Sequence, residues 1–106
     1  MKKVKSVNVL GGGTSGWLSA AMLASSFKKT GQDIVVHLIE SENIPTIGVG
    51  EGTFPTIVNT LHDIGLSEKD FFAQCDASFK QGAQFCNWLH EPDKQKHSYY
   101  HPFDPT

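Results

Sequence analysis

The spacing of apolar residues shifts along this chain, and each shift marks an element. Val4, Val7, Val9 and Leu10 form a short β-branched-rich run that stops at Gly11-Gly12-Gly13, predicting a strand from about Lys3 to Leu10 that ends in a tight turn. From Ser15 the pattern becomes helical: Trp17, Leu18, Ala20, Ala21, Met22, Leu23, Ala24 and Phe27 put apolar groups on nearly every face. Lys28-Lys29-Thr30-Gly31 then supplies late cations and a terminating glycine. A helix apolar all round is expected to be mostly buried. Ile34-Val35-Val36-His37-Leu38-Ile39 is a near-continuous apolar run closed by Glu40, which predicts a strand covered on both faces of a parallel sheet.

Beyond Glu40 the chain is punctuated by glycine and proline, with Gly48, Gly50 and Gly52 in five positions, and regular structure is not expected there. Thr53 is placed to cap a new helix with Pro55 near its first turn. Ile57, Val58, Leu61 and Ile64 then recur on one face until Gly65. Ser67 with Asp70 three residues later opens a short helix containing Phe71 and Phe72. From about Ala77 to Leu89 helical spacing fades. Phe79, Ala83 and Phe85 share one parity and Lys80, Gln84 and Trp88 the other, which suits a strand or extended ribbon. Glu91 to Thr106 holds three prolines and no periodicity and reads as a loop whose Tyr99, Tyr100 and Phe103 have no later element to bury them; a chain cut short is expected.

Composition narrows the function classes. A chain of 106 residues has room for one domain, and 39% hydrophobic with 19% charged residues is ordinary globular usage. Nine basic against eleven acidic residues leave no surplus of positive charge for nucleic acid. No apolar run approaches the roughly 18 to 20 residues of a membrane helix. The basic start Met1-Lys2-Lys3-Val4-Lys5 lacks the following apolar stretch of a signal peptide, so no export is expected. Cys75 and Cys86, without CxxC spacing, read as free reduced thiols, more often small buried hydrophobes than nucleophiles; this fits a cytoplasmic protein. His97 and His101 are four apart, but Pro102 and the intervening residues argue against a helix that would align them on a metal. Trp17 and Trp88 read as core or interface aromatics, and His62 beside Asp63 as surface.

The chemistry begins at Gly11-Gly12-Gly13-Thr14-Ser15-Gly16, a GxGxxG sequence with a strand before it, a helix after it and a second strand ending in an acid. The fold class expected is α/β: a partial Rossmann-like βαβ unit of the FAD/NAD(P)-binding kind, followed by helices and a strand or ribbon. Gly11 permits the sharp turn, Gly13 lets backbone amides approach a pyrophosphate, and Gly16 allows the helix to lie close on the strand. Thr14 and Ser15 open the helix whose N-terminus faces the phosphates. Glu40 is placed to accept hydrogen bonds from an adenosine ribose, and its charge disfavours the 2′-phosphate of NADP. These residues alone do not separate FAD from NAD.

Three segments together resemble the flavin-dependent tryptophan halogenase family: residues 11–17 (GGGTSGW), residues 44–55 (IPTIGVGEGTFP) and residues 78–88 (SFKQGAQFCNW), with His101-Pro102-Phe103 closing the match. The resemblance implies that residues 1–106 are the N-terminal part of an FAD-binding domain, truncated, and the length leaves no room for a second domain. It implies FAD as cofactor, reduced by a separate flavin reductase, and a flavin strap over Ile47 to Thr53 in which Val49, Gly50 and Gly52 meet the cofactor. It further implies a reaction of oxygen and halide that delivers hypohalous acid to tryptophan or a related electron-rich arene. Lys80 matches the lysine that handles that acid, either orienting it as an ammonium or carrying the halogen as a haloamine, and either role requires it to point inward. Glu51 reads equally as a contact of flavin or halide and as a solvated loop carboxylate. The family's WxWxIP segment and its second carboxylate are not in the chain, so the fragment alone is expected to be inactive. The alternatives are another FAD/NAD-dependent oxidoreductase or monooxygenase, or a non-catalytic dinucleotide-binding stub.

Overall fold

A computed structural model describes residues 3–45, 47, 49–91 and 97–103. The chain divides into two compact units, Met1–Cys75 and Asp76–Thr106.

In the first unit, β1 (Ser6–Leu10) and β2 (Val35–Ile39) pair in parallel, with Ser6 opposite Val35 and Leu10 opposite Ile39. A parallel pair needs a crossover, and α1 (Thr14–Lys29) supplies it, packing on both strands. Parallel pairing and the strand-helix-strand order are as expected. The predicted burial is corrected. Both strands alternate between half-buried and exposed positions, no residue of α1 is buried, and Val35 and Ile39 are 53% and 47% exposed. One layer of helix covers one face of a two-stranded sheet, and among the described residues of this unit nothing covers the other. Trp17, read as a core or interface aromatic, is 56% exposed.

α2 (Ile57–Ile64) packs against α1 and contributes Leu61, the one buried hydrophobic side chain among the described residues. Thr53 does not cap it. A turn in which the Ile57 N–H donates to the Phe54 carbonyl at 2.9 Å leads into the helix, and Thr56 holds the cap position in the helical conformation without a side-chain bond. Gly65 closes it as predicted, at φ +84°, where an L side chain would be strained. Lys29 Nζ donates to the Asp63 carbonyl oxygen at 2.9 Å and pairs with its carboxylate at 3.2 Å, tying the end of α1 to α2. α3 (Glu68–Gln74) starts at the predicted cap, the Asp70 N–H donating to Ser67 Oγ at 3.1 Å.

The second unit is an antiparallel ribbon of β3 (Gly82–Cys86) and β4 (Ser98–Pro102), with Gly82 opposite Pro102 and Cys86 opposite Ser98. The predicted extended segment is β3. The tail, expected as loop, instead supplies its partner strand. Tyr99 there stacks on Phe85 directly opposite, ring centroids 5.0 Å apart and nearly parallel. Cys75 and Cys86 are free, and both are exposed rather than buried. Trp88 is 71% exposed.

Candidate functional site

The glycine-rich turn lies where β1 ends and α1 begins, and each glycine meets a different constraint. Gly11 has φ +114°, a conformation that requires glycine, and its N–H donates to the Ile39 carbonyl at 2.9 Å, stitching the turn to the end of β2. A Cβ on Gly16 would run into the Gly11 carbonyl oxygen, with the Gly11 carbonyl carbon at 2.9 Å and Leu38 Cδ1 at 3.6 Å. Helix and turn can meet this closely only with hydrogen at position 16. A Cβ on Gly13 would meet nothing within 4 Å. Gly13 caps α1 in an extended conformation and has no side chain with which to satisfy the first-turn N–H groups, so they remain for an outside acceptor. A 16-residue helix also presents the positive end of its dipole there.

Glu40 stands over this turn. A Cβ on Gly12 would collide with its carboxylate and lie 2.6 Å from its Cβ and 2.8 Å from Cδ, so Gly12 is the glycine that admits the acid. Register explains the placement: Leu10 pairs with Ile39, so the next residue of each strand, Gly11 and Glu40, emerges at the same end of the sheet. Glu40 is exposed and free to reach a ligand on that side.

Thr14, the first residue of α1, donates through Oγ1 to Glu51 Oε2 at 2.8 Å. The glycine-rich stretch after β2 therefore returns to the turn and brings a carboxylate to the helix N-terminus, where the dipole favours it. Glu51 is an exposed loop carboxylate that is also tied to the helix start by this bond. Val49, Gly50 and Gly52 lie in this stretch and are exposed, without regular structure, as expected, and a Cβ on Gly50 would meet nothing. Thr46 and Gly48 lie outside the described residues. A shallow groove of about 390 Å³ between α1 and the start of α2 is lined by Ser15, Leu18, Ser19, Met22, Thr53 and Ile57. No local sequence pattern signals that groove.

In the second unit, Lys80 precedes β3 and is exposed, its Nζ 5.2 Å from the centroid of the Phe103 ring. Within its own unit Lys80 lies along a ring at the ribbon's end. His97 has a buried Nδ1 with no partner among the described residues, and its ring meets His90 edge to face. Among the described residues no three metal-ligating side chains converge, and no helix is long and apolar enough to cross a membrane.

Residues 6–106 match the family model described as tryptophan halogenase. The chain is 40% identical over 96 residues to the 7-chloro-L-tryptophan 6-halogenase of Kutzneria sp. (strain 744), covering 91% of this chain and 17% of that protein. It is 34% identical over 87 residues to the tryptophan 7-halogenase of Lentzea aerocolonigenes, covering 81% and 16%. Its fold is similar to the crystal structure of a tryptophan halogenase from Shewanella frigidimarina NCIMB 400, with a TM-score of 0.75 and 45% identity over 96% of this chain and 21% of that one. The chain thus spans about a sixth of the length of the curated relatives it matches.

Proposed function

The chain belongs to the tryptophan halogenase family, and on that premise we propose that it forms the FAD-binding start of a flavin-dependent halogenase. The observation that carries the reading is the meeting of Glu40 with the glycine-rich turn at the N-terminus of α1. That arrangement offers N–H donors for a pyrophosphate and an acceptor for a ribose. The residues present fit such a group: Gly13 leaves the space over the amides open, and Gly11 and Gly16 carry the backbone geometry that aims them.

When bound and reduced by a separate flavin reductase, FAD supplies the chemistry by which oxygen converts halide to hypohalous acid. The Gly13, Thr14, Ser15 and Gly16 backbone holds the pyrophosphate, and Glu40 takes the ribose hydroxyls while repelling a 2′-phosphate. Glu51, bonded to Thr14, ties the strap residues Val49, Gly50 and Gly52 to the same turn. Lys80 acts on the hypohalous acid. As an ammonium it donates a hydrogen bond to the acid and orients it. As a neutral amine it exchanges an N–H for an N–halogen bond with release of water, and the electrophilic halogen then passes to tryptophan or a related electron-rich arene.

The test uses the full reading frame with FAD, a flavin reductase, oxygen and bromide. The wild type should yield a brominated arene. Lys80→Ala should consume reduced flavin at the wild-type rate and yield none. Normal bromination by Lys80→Ala overturns the role of Lys80. Saturable FAD fluorescence quenching without product from the wild type points to a non-catalytic dinucleotide-binding module, and absence of quenching overturns the cofactor reading itself.

A further inference from the structure

An electrophilic halogen held at Lys80 passes to an electron-rich ring within reach, and the ribbon carries such a ring of its own. Tyr100 pairs with Gln84 across β3 and β4. A Cβ on Gly82 would meet the Tyr100 hydroxyl and would lie 2.5 Å from Tyr100 Cζ, so the side chain leans along β3 and its phenol end stands over position 82. Glycine, with no side chain, leaves that place to the ring. Lys80 is two residues away, at most about 7 Å of chain, which puts the phenol within the sweep of the flexible four-carbon stem. Tyr100 is exposed, and a small acid has access to it.

The other rings of the ribbon are placed or built differently. Tyr99 faces the opposite side of the strand and stacks on Phe85, centroids 5.0 Å apart. Trp88, exposed and edge to face with Phe85 at 5.8 Å, lies beyond the far end of β3. The Phe103 ring near Lys80 Nζ has no activating oxygen or nitrogen. Acid loose in solution would oxidise the exposed thiols of Cys75 and Cys86 and then attack the indole of Trp88, which is richer in electrons than a phenol. Bromine on Tyr100 is therefore a mark of delivery from Lys80.

We propose that Tyr100 is a self-halogenation site: with no arene bound, its ring takes the halogen that Lys80 handles. The proposal rests on the catalytic reading of Lys80 given above. The phenol oxygen feeds electron density to its ortho carbons, and one of them forms the C–halogen bond. The pair of the broken N–halogen or O–halogen bond stays on nitrogen or oxygen and takes up the proton that the ring carbon loses. The balance is ring C–H plus hypohalous acid to ring C–halogen plus water, the ring being oxidised and the halogen reduced.

The test runs the full reading frame with FAD, a flavin reductase, oxygen and bromide, without arene and with free methionine in excess to consume released acid. Mass spectrometry of the digested chain should find one bromine, on the Tyr100 ring. The label should be absent in Lys80→Ala, absent in Tyr100→Phe and reduced when tryptophan is supplied. Fragment masses assign the bromine to a ring in the wild type, so the result does not depend on how Tyr100→Phe folds. Bromine on Trp88 or Tyr99 in place of Tyr100, a Tyr100 label that forms only without methionine, or a Tyr100 label in Lys80→Ala overturns the proposal. The two readings fail separately. Brominated tryptophan from the wild type but not from Lys80→Ala, with Tyr100 unmodified, defeats self-halogenation alone, whereas brominated tryptophan from Lys80→Ala defeats the catalytic reading.

Discussion

Replacing Gly13 by alanine should leave the fold standing and cost the cofactor. Gly13 has φ −77° and ψ 178°, a conformation alanine adopts freely, and the added methyl meets nothing within 4 Å. Alanine is a poorer N-cap than glycine, but it also lowers the entropy of the unfolded chain by about 0.4 to 1 kcal/mol, so the two effects nearly offset. On the proposed FAD reading, the same methyl would stand where the pyrophosphate approaches. Losing one charged hydrogen bond costs about 1.5 to 3 kcal/mol, which at 1.4 kcal/mol per decade weakens FAD binding about 10- to 150-fold. Gly16→Ala is the contrasting case. Its Cβ would lie 2.9 Å from the Gly11 carbonyl carbon, against about 3.5 to 4 Å for a relaxed carbon contact. The Gly11 carbonyl oxygen lies closer still, so the turn must retreat by more than about 1 Å, with an overpacking cost of about 1 to 3 kcal/mol or above. Urea unfolding followed by circular dichroism and FAD titration by flavin fluorescence separate the two variants. Wild-type affinity in a folded Gly13→Ala would refute the pyrophosphate placement, and wild-type stability in Gly16→Ala would refute the close approach of helix and turn.

Glu40→Gln should weaken FAD about tenfold, because a ribose hydroxyl then donates to a neutral acceptor instead of a carboxylate. Unchanged FAD affinity in fluorescence titration would remove Glu40 from the ribose. Ser67→Ala deletes the oxygen that accepts from the Asp70 N–H at 3.1 Å and should lower stability by about 1 kcal/mol, read as an earlier urea midpoint at constant slope. Leu61→Ala, which empties the one buried hydrophobic position among the described residues, should cost about 2 to 5 kcal/mol in the same measurement.

The elements that local pattern specifies were legible: β1, α1, β2, the Gly65 stop and the Ser67 cap all follow from residues close in sequence. The strand β4 was not. Tyr99 and Tyr100 favour a strand, but the segment contains proline, and its hydrogen bonds come only from β3, a partner no local period reveals. Pro102 is tolerated because it is the last residue of the strand, where a missing N–H breaks little of the ladder. Burial of α1 was misread for a related reason. Apolar residues on every face say that a helix can be covered all round, whereas actual cover depends on which layers are present, and the described residues supply a two-stranded sheet and α2.

The site divides along the same line. Gly11, Gly16 and Glu40 were readable because their geometry is fixed by a turn and by strand register, and a residue closing a parallel strand next to β1 must emerge beside the β1 turn. Glu51 was readable only as a question, since its partner Thr14 is 37 residues away. That bond changes the electrostatics of the turn. With Glu40 over Gly12 and Glu51 on Thr14, two carboxylates stand near one helix N-terminus, and like charges there resist a third anion. On the proposed reading, a pyrophosphate would have to draw enough from the first-turn amides to outweigh both acids, or Glu51 would have to turn aside as it arrives. The second course predicts that Glu51→Gln binds FAD more tightly than the wild type, with the gain shrinking as salt screens the repulsion. Equal affinities at low salt would mean that the strap carboxylate stays clear of the phosphates and serves only to hold the strap in place.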